Sequence, residues 1–449
     1  MTIKINNERY KTAPFKCWPL MKEIRREHFW DTWNAQKEGG FVSMGMGLGN
    51  IGFLGGIGHV ANPSIGPHFT RLARTPNAEG ITQMVEVAEA EGFGRDVCGA
   101  IKAHLGQVFS GMSSTSPMGE HIRHDFGWDN TGCHAITKGT QIASEAVGAP
   151  LLLIDTPGGK HRENARKYLL AQFQDAIEWL EKRTGKKYDD EKLIEGVKNE
   201  WYTGILFAKC LEQLKAIPAP ASMRDMFSLR LPLVTGRHKK RVVDYLQILL
   251  DELKDRAKNQ ISAYGFEKLR LTHENLHALY RISVLLSPEE YGAIFVNGIA
   301  LDFGLWEWKE DGSCVPARSP EERGIQIRTR EDALNSIIER MDLRQEDAVE
   351  RRGYYWYRRA KDWNIDAVVI HYDRPCQQEM VNTLEARLYL QEKGIPVGVY
   401  VSSQGDPRDF DERRILGPGG ELPTFYESLG LTRMENVRRS HYTAEDITT

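Results

Sequence analysis

The chain has 449 residues, with 59 Lys and Arg against 62 Asp and Glu and a formal net charge of −3, a balance that gives no reason to expect nucleic acid or an anionic membrane as partner. The length suggests two or three domains. Met1 to Glu8 lack the apolar run of a signal peptide, no uninterrupted apolar stretch is long enough to span a bilayer, and six cysteines are too sparse for a disulfide framework, so a cytoplasmic protein with free thiols is expected.

In chain order, residues 1–36 read as a helical lead-in that packs Phe15, Trp18, Trp30 and Trp33. Gly39 to Met44 opens a strand, and a glycine-rich turn follows. A helical pattern covers Thr82 to Ala90, and another helix starts near Cys98. Asp129-Asn-Thr-Gly-Cys133 precedes a further helix that runs to Ala146, with Asp129 or Thr131 as its cap. Leu151 to Asp155 is a short apolar strand. From His161 to Arg183 a helix should bury Leu169, Phe173, Ile177 and Leu180, which recur every three or four residues. A second helical block spans Asp190 to Lys215 and is broken by Ile217-Pro-Ala-Pro. The next helix should bury Val242, Leu246, Leu249 and Leu253.

Beyond Gly236, strand and helix alternate. Strands are expected at Lys268 to Thr272, Ala293 to Asn297, Asp366 to Tyr372 and Val397 to Val401. Thr329 and Asp332 form a capping-box pair ahead of a helix with Leu334, Ile337, Ile338 and Met341 on its inner face. Another helix covers Tyr354 to Trp363. The turn Asp373-Arg-Pro-Cys376 leads into a helix with Met380, Leu384 and Leu388 on one side, stopped by Gly394. Strands separated by helices predict parallel sheets with right-handed crossovers. The expected fold is therefore α/β, with two Rossmann-like or flavodoxin-like parallel-sheet domains and helical N-terminal and intervening segments. The domains are placed at 37–235, carrying Cys98 and Cys133, and at 236–449, carrying Cys376, after the 1–36 lead-in.

Several local patterns compete for a chemical role. Gly47-Leu-Gly49-Asn-Ile-Gly52 matches GxGxxG, yet glycines continue through Gly58, and the position about twenty residues on, where an acid should meet a ribose, is basic and aromatic. A close-packed turn is the better reading. Asp155-Thr-Pro-Gly158 is like a nucleotide switch element, but no GxxxxGK[ST] loop occurs, so any nucleotide hydrolysis belongs to another polypeptide. Arg237 to Arg241 and Tyr354 to Arg359 are basic runs that would meet phosphates or form solvated helix faces. His121, His124 and His134 flank Cys133 and are candidate proton donors.

The cysteines are the sharper signal. Cys98, Cys133 and Cys376 each stand just before or at the first turn of an expected helix, where unpaired N–H groups and the helix dipole favour a thiolate. Cys210 falls within a helix and is expected in the core, while Cys17 and Cys314 lie in irregular segments and are expected at the surface. No CxxC occurs. A metal site would have to form by convergence of distant segments, and scattered buried thiols remain the alternative.

The order Ala88-Glu-Ala-Glu-Gly-Phe-Gly-Arg-Asp-Val-Cys98, then Cys133 ahead of a helix, then Cys376 between a strand and a helix, resembles the 2-hydroxyacyl-CoA dehydratase and benzoyl-CoA reductase family. Gly394-Ile-Pro396 and the segment to Asp406 look like that family's last strand and loop. The resemblance implies that Cys98, Cys133 and Cys376 hold one 4Fe-4S cluster, leaving one iron for an exogenous group or substrate. Dehydratase subunits commonly carry an Asn-Arg-Ser-Cys-like turn where this chain has His371-Tyr-Asp-Arg-Pro-Cys376, which points to the reductase branch and to its larger cluster-bearing subunit. The implied reaction is reductive dearomatisation of an aromatic acyl-CoA to a cyclic diene. The implied partners are a paralogous cluster-bearing subunit, ATP-hydrolysing electron-activating subunits and a ferredoxin upstream. His134, His124 and His371 are the candidate proton donors. Dehydration of a 2-hydroxyacyl-CoA and a purely structural cluster-bearing subunit are the alternatives within the same resemblance.

Overall fold

The computed structural model describes residues 4–45, 51–61, 78–112, 122–157, 163–298, 303–309, 313–344 and 352–434. His121, the first glycines of the GxGxxG run and Gly158 to Lys160 lie outside the described residues.

Twelve strands are described: β1 (Lys11–Thr12), β2 (Phe41–Met44), β3 (Val60–Ala61), β4 (Phe126–Asn130), β5 (Leu151–Ile154), β6 (Ile261–Ser262), β7 (Arg270–Glu274), β8 (Ile294–Gly298), β9 (Trp306–Trp308), β10 (Cys314–Pro316), β11 (Ala367–Asp373) and β12 (Val397–Ser402). Two four-stranded sheets dominate, ordered β3-β2-β4-β5 and β12-β11-β7-β8. Every neighbouring pair in both is parallel, which gives the α/β class expected from the alternation. Val368, Val369 and Ile370 of β11 have no exposed surface, as a strand covered on both faces requires. The antiparallel pair β9–β10 is not foreshadowed by the sequence pattern, because its two short strands carry too few residues to show a period.

The apolar cores cross the midpoint of the chain. Phe15 and Trp18 at the N-terminus pack in one core with Leu246, Trp363 and Val368. The helix Arg330–Arg344 turns Leu334, Ile337 and Ile338 toward Phe173, Leu180 and Trp201 of the first half, and the Trp201 indole N–H donates to Ser336 Oγ at 2.6 Å. Its capping box forms as expected, with Asp332 N donating to Thr329 Oγ1 and Thr329 N to Asp332 Oδ2.

The helix Gly99–Ser110 lies between the sheets and is buried continuously from Gly99 to Gln107. Ala100 and Ala103 join Leu271 and Val369 of the second sheet. Ile101 and Leu105 join Met44 and Ala143 on the side of the first. Small residues on one face and branched ones on the other let a single helix serve two cores.

Four local expectations change. Leu384 and Leu388 are 54% and 51% exposed. The expected helix is split into Gln377–Met380 and Thr383–Glu392 by Asn382 at φ 57°, and the second piece buries Thr383, Ala386 and Leu390 instead. Trp30 is 47% exposed, because the lead-in helix Trp18–Asn34 buries the face of Trp18, Met21 and Ile24. Cys17 and Cys314 are buried, the first at the N-cap of that helix and the second in β10, both within the core of Leu246 and Trp363. The basic runs are neutralised at home. Lys239 pairs with Asp31, Lys240 with Asp244, Arg241 with Glu23 and Glu27, and Arg359 with buried Glu274; Arg237 is buried beside Glu200.

Candidate functional site

Two of the three cysteines arise from the same local construction. β4 ends at Asn130 and Cys133 is the N-cap of the helix His134–Val147; β11 ends at Asp373 and Cys376 is the N-cap of the helix Gln377–Met380. Each thiol thus follows its strand by the same spacing and stands at the carboxyl edge of a parallel sheet, where such sheets bind ligands. The Cys133 turn is pinned by Asp155, which accepts from Thr131 Oγ1 at 2.8 Å and from the Tyr168 hydroxyl at 3.0 Å. Thr156 N closes the arrangement by donating to Thr131 Oγ1. The Asp155-Thr-Pro sequence that is like a nucleotide switch is therefore a brace for this loop.

Cys98 arrives differently. It is the N-cap of the central helix Gly99–Ser110, and no strand precedes it directly. The loop after β12 brings it in: a Cβ on Gly99 would lie 2.6 Å from the carbonyl carbon of Gly405 and 2.7 Å from Asp406 N, so the two backbones touch only because residue 99 has no side chain. Gln404 Nε2 reaches Cys98 Sγ at 3.7 Å. Charge ties the same junction. Lys102, one turn along the helix and fully buried, pairs with Glu89 at 2.7 Å and with Asp406 at 3.7 Å, and Arg408 holds the same two carboxylates.

The three thiols are close enough to act on one another. Burial, then the charges of Asp373 and Cys133, push Cys98 up to about 11, against backbone N–H groups of Ile101 and Ala100 that pull it down. Burial raises Cys376 further, reinforced by Glu379, Asp373 and Cys98. The helix N-termini do point amides at these two sulfurs, as expected, but burial outweighs them and favours the neutral thiol at both. Asp373 is fully buried, and burial raises it to about 7. Its Oδ1 accepts from Gln404 N at 3.2 Å, whereas Oδ2 has no hydrogen-bond partner.

Among the described residues no three His, Cys, Asp or Glu side chains close on one point as ligands of a single metal ion would. Thiolates around one zinc lie about 2.3 Å from it; thiolates on separate irons of one cluster stand wider apart. A donor set of three thiols on three separate loops, beside a buried carboxylate oxygen without a partner, fits the second arrangement.

A family profile described as 2-hydroxyglutaryl-CoA dehydratase, D-component, matches residues 76–414, a span that takes in all three cysteines. The chain belongs to that family. Among relatives of this chain, the (R)-phenyllactyl-CoA dehydratase alpha subunit of Clostridium sporogenes is 28% identical over 77% of the chain and 80% of its own length. The (R)-2-hydroxyisocaproyl-CoA dehydratase alpha subunit of Clostridioides difficile is 24% identical over 76% and 80%. A chain of the benzoyl-CoA reductase of Thauera aromatica is 26% identical, but over 42% of this chain and 47% of its own. The reductase branch favoured by the Asp-Arg-Pro-Cys turn gives way, on this coverage, to the dehydratase alternative.

The candidate histidines fall in three different settings. His134 is exposed at the first position of its helix, directly after Cys133. His124 precedes β4, at the opposite end of that strand from Cys133; four strand rises of about 3.3 Å each keep it from the same edge. His371 lies inside β11 with both ring nitrogens engaged, Nδ1 with the Leu276 carbonyl and Nε2 with Ser402 Oγ, and stacked on Tyr400. Burial lowers it to about 4, so the ring is neutral and anchors the sheet. Asp373, Gln404 and Lys102 are not singled out by sequence pattern. For Asp373 a signal existed: it stands where Asn130 stands ahead of Cys133. Gln404 and Lys102 come near Cys98 only through folding. Among the described residues no helix is long and apolar enough to cross a membrane.

Proposed function

We propose that this chain is the alpha-type subunit of a 2-hydroxyacyl-CoA dehydratase, removing water from a 2-hydroxyacyl-CoA thioester in complex with a second subunit and an ATP-hydrolysing activator. The observation that carries this reading is the match to dehydratase alpha subunits over about three quarters of the chain, joined to the convergence of Cys98, Cys133 and Cys376. Those three thiols would hold a 4Fe-4S cluster. When bound, the cluster supplies a Lewis-acidic iron and a route for single electrons.

The rest is work for the chain itself. Amides at the starts of the Cys98 and Cys376 helices stabilise the sulfurs as anions once metal charge offsets their burial. The buried helix Gly99–Ser110 closes the space between the sheets and keeps water from it. His134, next to Cys133 and open to solvent, is placed to carry a proton between the site and bulk water. The buried stack of His371 on Tyr400 ties β11 to β12, and with it the strand that leads to Cys376.

A second reading, subunit of an aromatic acyl-CoA reductase, keeps support from the benzoyl-CoA reductase match and from the Asp373-Arg-Pro-Cys376 turn. The two separate in one assay. The reconstituted complex is given a 2-hydroxyacyl-CoA and, separately, benzoyl-CoA, and electrons consumed per product are counted. Many turnovers of the hydroxyacyl thioester per electron support the dehydratase; stoichiometric electron use on the aromatic thioester would overturn it in favour of the reductase.

A further inference from the structure

We propose that Asp373 is a fourth protein ligand of this site, with Oδ2 supplying oxygen to the iron that Cys98, Cys133 and Cys376 leave without a thiolate. The inference rests on the cluster reading above and adds a residue to it.

Asp373 is the last residue of β11, and Cys376 N donates to its carbonyl oxygen at 3.0 Å. Strand and turn therefore fix the carboxylate beside the thiol. The second anchor is Gln404, whose backbone N–H holds Asp373 Oδ1 and whose side-chain amide reaches Cys98 Sγ. One residue thus grips the carboxylate and a second cysteine, and the carboxylate stands near enough to Cys98 and Cys376 to act on both.

That oxygen has no hydrogen-bond partner and the residue has no exposed surface. Leaving a buried acceptor unmatched costs about 1–3 kcal/mol, more for a charged one. No Lys or Arg makes an ion pair with Asp373 among the described residues, and Glu379 and Asp409, whose charges bear on it, are both of its own sign. A buried carboxylate oxygen without a partner, set among acids and thiols, is suited to a cation from outside the chain, and carboxylate oxygen is a common donor to iron. The turn itself does not demand an acid. In the first sheet the matching position ahead of Cys133 is the neutral Asn130, so the carboxylate is particular to the second sheet.

The test uses the full chain, reconstituted anaerobically with 57Fe and sulfide, alongside Asp373→Leu, Asp373→Asn and the control Glu379→Gln, each checked by circular dichroism. Iron and sulfide are counted and Mössbauer spectra recorded without substrate. The expected result is full iron in all four proteins, with one iron in four set apart by oxygen coordination in the wild type and in Glu379→Gln. That signal should shift in Asp373→Leu, while Asp373→Asn, which keeps shape and the Gln404 contact, should shift it as well. Full iron with an unchanged spectrum in Asp373→Leu would overturn the assignment and leave the cluster reading intact. Loss of all iron from folded Asp373→Leu with full iron and an unchanged spectrum in Asp373→Asn would also overturn it, since a side chain needed only for its shape and its Gln404 contact gives that result. A wild type that takes up no cluster would overturn both.

Discussion

Gly99 rests against Gly405 with no room for a methyl group between them. This contact joins the N-terminus of the central helix to the loop that leaves β12, and so places Cys98 at the edge where β11 delivers Cys376. Two residues 306 positions apart set the geometry of the proposed site.

Gly405→Ala should therefore move Cys98 outward. A Cβ there would clash with the backbone of Gly99 and Ala100, and overpacking of this kind costs about 1–3 kcal/mol. Reconstituted Gly405→Ala should hold less iron than wild type and show a lower urea midpoint. Alanine at Gly92, whose surroundings are open, should cost stability through its positive φ while leaving iron unchanged.

Replacing single cysteines should sort them into two groups. Cys98→Ala, Cys133→Ala and Cys376→Ala should each lose most bound iron after anaerobic reconstitution while keeping the circular dichroism of the parent. Cys210→Ala, whose thiol lies in the core beneath Leu246, should keep full iron. Full iron in Cys376→Ala would refute the ligand set.

Lys102 is the buried cation of the junction. Its ammonium meets Glu89 and Asp406 inside the fold, and removing one partner of a buried pair costs about 3–5 kcal/mol. Because Arg408 also faces both carboxylates, Lys102→Met should fall near the lower end of that range in a chemical-denaturation experiment. Arg408→Met, on a half-buried side chain, should cost less.

The same junction sets an acid limit. Arg408, and then Lys102, hold Glu89 down to about 2 from its usual carboxylate value. A depressed carboxylate contributes stability that is complete above its unfolded pKa and disappears as pH falls through its folded one. The denaturation midpoint should accordingly drop between about pH 4.5 and pH 2, and Glu89→Gln should be less stable at pH 7 but flatter across that window. An identical pH profile in Glu89→Gln would exclude Glu89 as a source of the acid sensitivity.

Much of the backbone was legible in the residues themselves. The four strands of the second sheet were expected within a residue or two of where they lie, since apolar runs such as Ala367 to Ile370 between helix stops have few other stable states. Cys133 and Cys376 were readable as helix caps for the same local reason. Leu384 and Leu388 were misread because spacing identifies a helix face without saying what covers it. Cys17 and Cys314 were misread because burial of an irregular segment depends on neighbours far along the chain.

Local sequence thus determined the alternation of strand and helix, the parallel sheets and the thiols at helix starts, because capping and periodicity act over a few residues. Only the tertiary structure decided that Gly99 meets Gly405, that Gln404 spans Asp373 and Cys98, and that His371 is locked away from solvent. Such contacts join residues that lie far apart along the chain, and their energies exist only once both sheets have closed around the helix between them.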